Sequence, residues 1–301
     1  MIVLTEDSTK DFYSASANDL KIATEAAKIM GYQVHYIPED FSICETAENA
    51  LAHIPKQPQE TLGLWIGYIP TPERYQAIYN TAIRKGIKLL NSPEQHLTVQ
   101  EFDRAYPKLL DLTPESIIIT NQSECQTIIE RLEFPVFVKG VVQSKKAKGW
   151  KACIAENLAE LEILTQELLT QENGARGRVV VRKLVKFKYS RYAENGFPLG
   201  REYRVFIYRE QILGWGYYWE GEDRLKKLSP NEEKQVLELA IAAAKNLNVP
   251  YISVDIGQLE NDEWIVIETG DPQFSGVSQI PLLQLYKKIL ELSGVSYESF
   301  S

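Results

Sequence analysis

The chain has 301 residues, and 33 Lys plus Arg against 41 Asp plus Glu give a formal charge of −8. That balance speaks against a general nucleic-acid binder, which carries a basic surface, and 44% hydrophobic with 25% charged residues is far from a disordered composition. The length allows one large domain or two to three small ones, and no apolar run approaches the ~20 residues of a membrane span.

Taken in chain order, the first ninety residues alternate strand and helix. Ile2 to Leu4 reads as a strand, and Leu20, Ile22, Ala23, Ala26, Ala27 and Met30 recur at helical spacing until Gly31 offers a stop. Val34 to Ile37 and Leu62 to Ile66 are further strands. Thr71 followed by Pro72 is an N-cap with proline at the first helical position, opening a helix that ends near Gly86, and Ile87 to Leu90 is a fourth strand. The alternation implies a small open parallel sheet with helices on its faces.

The texture changes at Asn91-Ser92-Pro93, where the first domain boundary is placed, ahead of a polar helical stretch with Asp103 and Arg104. Beyond it come a strand Ile117 to Thr120, a helix Ser123 to Leu132, a strand Val136 to Lys139, a strand Lys151 to Ala155 and a helix Leu158 to Leu169. The last third reads as antiparallel. Arg178 to Val185, Glu202 to Arg209 and Ile212 to Trp219 are β-branched and aromatic, the latter two joined by Glu210 and Gln211. A helix over about Asn231 to Leu247 precedes a hairpin of Ile252 to Leu259 with Trp264 to Thr269, and a helix Leu282 to Leu292 follows.

Cys44, Cys125 and Cys153 are widely spaced with no CxxC pattern, and read as reduced thiols. The start, MIVLTEDS, lacks the basic region and long apolar stretch of a secretory signal, so a cytoplasmic protein with no membrane partner is expected.

Charge is concentrated in two blocks. Residues 139 to 151 carry a local +5, and residues 176 to 204 a local +7. A solvated basic face accounts for any one lysine, whereas the density of like charge favours a bound polyphosphate or other anion. Lys139 ends the apolar run Phe134-Pro135-Val136-Phe137-Val138, so its stem is buried and its ammonium leaves the end of the sheet. The loop behind it, with Lys145, Lys146, Lys148 and Gly149, can fold over phosphates.

Asp255 and Glu268 interrupt apolar runs on opposite arms of the last hairpin. Acids so placed need a salt bridge, to Arg204 or a lysine, or else a cation. Two carboxylates on adjacent strands suit Mg²⁺, which completes its shell with phosphate oxygens. Glu202 and Arg204, two apart in a strand, share one face, where Arg204 forms either a clamp for phosphate or carboxylate or a cross-strand ion pair. Trp215, Tyr217, Tyr218 and Trp219 read as packing, and His35, His53 and His96 have no partner spacing. GxGxxG, Walker A and GxSxG signatures are absent.

A strand-end lysine, a Gly/Lys loop, a basic-aromatic middle strand and a late acid pair, in this order, resemble the ATP-grasp superfamily over the whole chain. Gly200-Arg201-Glu202-Tyr203-Arg204-Val205-Phe206 is similar to its substrate-side strand. Glu268-Thr269-Gly270-Asp271-Pro272-Gln273 looks most like the clade named for one arginine and two lysines. The resemblance implies an α/β and α+β chain: a pre-ATP-grasp parallel-sheet domain over 1–92, then a two-lobed ATP-grasp domain over 93–301, with lobes of about 93–177 and 178–301.

It further implies that Lys139 and a loop lysine, Lys148 or Lys151, bind ATP phosphates, and that backbone at Lys183 and Leu184 reads the adenine edge. Glu202 joins this nucleotide-side set, Arg204 contacts the γ-phosphate or an acceptor, and Asp255 and Glu268 hold Mg²⁺. The family's usual last metal ligand is an asparagine two residues after the glutamate. Here Gly270 stands there, with Asp271 beside it as the replacement ligand, and the hinge lacks the common acid near Arg182 and Lys183. The expected activity is ATP-dependent ligation through an acyl phosphate, with a small-molecule or peptide acceptor and no long nucleic acid. A nucleotide-binding regulatory module without turnover, or an RNA-modifying enzyme, are the alternatives.

Overall fold

The computed structural model describes residues 1–7, 14–41, 44–128 and 130–294. The N-terminal unit consists of β1 (Ile2–Asp7), α1 (Ala15–Ile29), β2 (Gln33–Pro38), α2 (Ala47–Ala50), β3 (Thr61–Ile66), α3 (Pro72–Arg84) and β4 (Ile87–Leu89). Its strands pair in parallel in the order β2-β1-β3-β4. The signals that set these elements are local. Thr71 Oγ1 accepts the Arg74 N–H at 3.2 Å with Pro72 behind it, and Gly31 and Gly86, at φ 81° and 78°, end α1 and α3 in a backbone region costly for other residues.

Two short helices follow, α4 (Pro93–Gln100), held by a Ser92–Gln95 capping box, and α5 (Phe102–Ala105). The first lobe is the antiparallel sheet β5-β8-β6-β7, made of β5 (Ser116–Ile119), β6 (Val136–Gly140), β7 (Ile154–Ala155) and β8 (Val179–Lys183), with α6 (Cys125–Ile128), α7 (Leu158–Leu169) and α8 (Glu172–Ala175). The sequence expectation opened the second lobe at 178. Strand β8 instead pairs with β5 and β6, because its Val179-Val180-Val181 run is fully buried and needs a partner on both edges. The expected strand Lys151–Ala155 is also shorter: Trp150–Ala152 is a 3₁₀ turn and only Ile154–Ala155 pairs, with β6. Of the expected helix 123–132, residues 125–128 are helical, and 129 lies outside the described residues.

The second lobe adds a small hairpin of β9 (Tyr189–Tyr192) and β10 (Pro198–Gly200), not anticipated from sequence, and the antiparallel sheet β12-β11-β13-β14. Its strands are β11 (Glu202–Tyr208), β12 (Gln211–Tyr217), β13 (Tyr251–Gln258) and β14 (Trp264–Gly270). The β11–β12 turn is one residue earlier than expected, at Arg209 and Glu210, whose φ of 47° and 63° give the paired left-handed residues that a tight hairpin requires. Helix α9 (Pro230–Leu247) lays Val236, Ala240, Ala243 and Leu247 on one face of this sheet, and β13 is buried at every position. Helix α10 (Leu282–Leu292) packs against α1 and β12.

One hydrophobic cluster joins the N-terminal unit, through Val3, Leu20 and Leu64, to the second lobe, through Phe206, Tyr251 and Leu285. A separate cluster, from Ile119 to Val181, belongs to the first lobe alone. Among the described residues no helix is long and apolar enough to cross a membrane, and Cys44, Cys125 and Cys153 are free.

Candidate active site

The site lies where the sheets of the two lobes meet. In the first lobe Phe137 pairs with Arg182 and Lys139 with Val180, so Phe137, Lys139 and Arg182 share the sheet face toward the second lobe. In the second lobe Arg204, Asp255 and Glu268 stand abreast in register on β11, β13 and β14. Beside them the ladder slips, Asp255 opposite Glu268 but Ile256 opposite Val266, and Ile267 is left as the extra residue of a bulge. Its unpaired carbonyl accepts Arg182 Nη1 at 2.8 Å, one of the bonds tying the lobes together.

These charges partner one another across the cleft. Lys139, only 3% exposed, donates to Glu268 Oε2 at 2.6 Å, and Arg204 forks onto Asp255 with bonds of 2.8 and 2.7 Å. Both ion pairs are among the alternatives left open by the sequence. Burial works against the Glu268 charge, but the ammonium groups of Lys139 and Lys146 prevail and hold its carboxyl below the usual range. For Arg204, burial is likewise overcome by Asp255, which keeps the guanidinium charged. Lys139 itself is lowered, by burial first and with Arg182 and Lys146 adding repulsion that Glu268 only partly offsets. Glu202 has no such partner. Burial raises it to about 7 against the pull of Lys146, and its Oε2 is buried without a hydrogen bond.

Two cavities open onto this cluster and share Lys139, Ser144 and Glu268. The larger, about 530 Å³, has apolar walls from Phe137, Leu184, Phe197 and Ile267, and Lys183, Lys146, Arg182 and Glu202 also line it. The other, about 390 Å³, is polar and lined by Arg204, Asp255, Ser253, Ser275 and Gln143. A third, of about 450 Å³, runs between the N-terminal unit and the second lobe and meets the polar one at Ile69, Gln143 and Ser275.

The structure therefore brings together Lys139, Lys183, Leu184, Glu202, Arg204, Asp255 and Glu268. It separates three residues from them. Lys148 and Lys151 are exposed and line none of these cavities. The loop lysine that enters is Lys146, whose ammonium lies 5.7 Å from the Tyr218 ring centre and 5.6 Å from that of Trp219. The 3₁₀ turn over Lys146–Lys148 sets this direction. Asn195 fixes the turn by donating to the Lys146 and Ala147 carbonyls, and Gly149, at φ 90°, passes so close to the Asn195 carbonyl that a Cβ would lie 2.8 Å from it.

The third is Asp271. It is wholly buried, bonded to His96 Nδ1 at 3.0 Å and to the Gln273 N–H at 3.1 Å, while its own N–H donates to Gln100. Asp271 and His96 line none of the three cavities, and the network fixes the strand end that carries Glu268. His96, to which the sequence assigned nothing, lies flat on Tyr75 with ring centres 4.2 Å apart. Tyr218 and Trp219, read as packing, are the faces that hold Lys146.

The sequence profile of family 3 of the ATP-grasp clade named for one arginine and two lysines matches residues 126–289. A comparison with curated proteins gives no match. Three solved structures are similar in fold. The RimK domain protein ATP-grasp from Sphaerobacter thermophilus has a TM-score of 0.56 at 13% identity, covering 98% of this chain and 97% of that one. The D-alanine–D-alanine ligase from Bacillus anthracis, complexed with ATP, scores 0.63 at 17%, covering 97% and 96%. The VanG D-Ala:D-Ser ligase from Enterococcus faecalis scores 0.65 at 12%, covering 97% and 98%. These likenesses place a pre-ATP-grasp parallel sheet ahead of a two-lobed ATP-grasp domain, and with more than half its length matched by the family profile, the chain belongs to the third family of the one-arginine, two-lysine clade of ATP-grasp domains.

Proposed function

We propose that this protein is an ATP-dependent ligase, which uses ATP to activate a carboxylate as an acyl phosphate for attack by an amine or similar nucleophile. The observation that carries the reading is the pair of cavities, one largely apolar and one polar, meeting at Lys139, Ser144 and Glu268. The apolar cavity suits a purine, with Lys183 and Leu184 along its edge, and the polar one suits the reacting groups, where Arg204 and Lys139 neutralise charge. Phosphoryl transfer asks for positioning and charge compensation more than for a protein nucleophile, and the cluster supplies both.

Among the described residues no group of three or more His, Cys, Asp or Glu is arranged to hold a metal by itself. Asp255 and Glu268, opposed in register, nonetheless fit Mg²⁺ as the two protein carboxylates of a shell completed by phosphate oxygens. Bound there, the ion would screen phosphate charge during transfer, and Arg204 and Lys139 would keep the two carboxylates oriented. Asp271, engaged in its own network, is not part of this set.

The third cavity, which joins the polar one, leads us to a small-molecule or peptide acceptor. The free thiols support a reducing compartment such as the cytoplasm. Calorimetry with Mg-ATP, followed by a screen for ADP release over amino acids and peptides, tests the proposal. Absence of ATP binding overturns it, and tight binding without turnover for any acceptor favours a regulatory nucleotide-binding module instead.

A further inference from the structure

The cavity of about 450 Å³ between the N-terminal unit and the second lobe has a lining that separates one kind of acceptor from another. Its walls include Leu20, Leu64, Phe206 and Leu285, each at most 8% exposed and each part of the core cluster that joins the two units. Tyr251 and Tyr286 add ring surface, and burial raises both phenols so that they stay neutral. Among the described residues that line the cavity, Asp19 is the one charged group. It stands exposed on α1, and partial burial raises its carboxyl with no cation acting in the other direction. The cations Lys139 and Arg204 line the polar cavity instead, and Arg204 is already held by Asp255 and by the Gly276 carbonyl. An anionic group lodged in the third cavity would therefore lose water beside Asp19 with nothing to neutralise it, whereas a cation would gain a partner. At Ile69, Gln143 and Ser275 the cavity opens into the polar one, so a molecule held in it can present one end to the reacting groups.

We infer that the third cavity takes, as the attacking nucleophile, a primary amine carried on a bulky apolar group with no carboxylate beside the amine: an arylalkylamine rather than a free amino acid. The inference rests on the ligase reading given above and narrows its acceptor. The apolar walls bury the hydrocarbon body, and Asp19 favours the ammonium form during entry. In the transfer the nitrogen forms a bond to the acyl carbon, and the bond from that carbon to the phosphate oxygen breaks. Of the two protons the ammonium gives up, one leaves with inorganic phosphate and the other goes to water.

The test is a ligand-observed NMR titration of the full chain with phenethylamine, 2-phenylethanol, phenylalanine and 3-phenylpropionate, which share one apolar body and differ in charge. It is run on the wild type, on Asp19→Asn and on Ala23→Leu, which adds bulk to a residue lining the cavity. Calorimetry with Mg-ATP is run on the same samples. Phenethylamine should bind at least about tenfold tighter than phenylalanine or 3-phenylpropionate. Asp19→Asn should weaken phenethylamine about two- to fivefold, the range for an exposed ion pair, and leave 2-phenylethanol unchanged. Ala23→Leu should weaken both by about fivefold or more. If Ala23→Leu does not melt cooperatively, Ser16→Trp, at an exposed lining residue, decides by the same comparison. Carboxylated probes that bind as tightly as the amine, no binding of the amine, or an amine affinity left unchanged by either substitution overturns the inference, and with Mg-ATP still bound leaves the ligase reading intact. Wild-type protein that binds no Mg-ATP overturns the ligase reading and the acceptor role with it.

Discussion

Glu202→Gln should make the ligand-free protein more stable at neutral pH while impairing the site. Glu202 is 4% exposed, and its carboxyl titrates near 7 in the fold against an ordinary 4.5, first because of burial. The folded chain therefore binds this proton more tightly than the unfolded chain does. Between pH 4.5 and 7 the wild type must either hold the proton or bury a charge without a hydrogen bond to Oε2, and it loses stability as pH rises. The gap of about two and a half pH units, at about 1.36 kcal/mol each, comes to roughly 3 kcal/mol as an upper value. Glutamine does not titrate, so its stability advantage should be absent at pH 4.5, grow through pH 6 and level off above pH 7. Lys146 still has the charges of Glu268 and Asp255 nearby in the variant. Denaturant melts of both proteins at half-unit steps from pH 4.5 to 8.5 measure the difference. A constant difference across that range, or a variant less stable at pH 8 than at pH 5 relative to wild type, refutes the reasoning.

Lys139→Ala should lower ADP formation at least about a hundredfold, because it removes a fixed cation from the point where both cavities meet, and wild-type rates would sink the placement of the site. Lys146→Ala should weaken Mg-ATP binding about tenfold or more by calorimetry, whereas Lys148→Ala and Lys151→Ala, both exposed, should stay within about twofold. The reverse order would show that the loop turns the other way in solution. Asp271→Asn should cost about 1–3 kcal/mol in a denaturant melt, since it takes the charge from the buried partner of His96. Equal melting of variant and wild type would mean that this network contributes nothing to stability.

What the sequence made legible follows from how far each signal reaches. Helices α7 and α10 have the bounds expected from helical spacing and local stops, and the opposition of Asp255 to Glu268 follows from a single short hairpin. The bulge that frees the Ile267 carbonyl has no such mark, because β-branched runs look alike in either register. The β9–β10 hairpin escaped because Tyr189–Tyr192 is exposed or half-buried throughout and lacks the alternation of a strand with one buried face. Four lysines between 145 and 151 are indistinguishable by composition, and only the 3₁₀ turn and its contact with Asn195, some fifty residues on, single out Lys146. Asp271 looked like a ligand because it follows Glu268 closely, but its partner His96 is 175 residues distant and nothing local announces it. The lobe boundary failed for the same reason, since the pairing of β8 with β5 and β6 joins segments about forty to sixty residues apart.

The shared hydrophobic cluster has a mechanical consequence. Tyr32 donates to the Tyr286 carbonyl, Asn91 is bonded to both the N–H and the carbonyl of Tyr251, and the Trp65 N–H is bonded to Gln273, all within or beside that cluster. The N-terminal sheet and the second lobe are thus one anvil, and separating them would expose a core. The first lobe keeps its own core and meets the anvil in two ways: a small apolar cluster packs its Val141, Val142 and Val180 on Phe102 and Ile69, and beside the larger cavity polar contacts such as Lys139 with Glu268 and Arg182 with Ile267 bridge the lobes, where water or a ligand can replace them. Opening of the larger cavity therefore falls to the first lobe, as a jaw hinged against a fixed block.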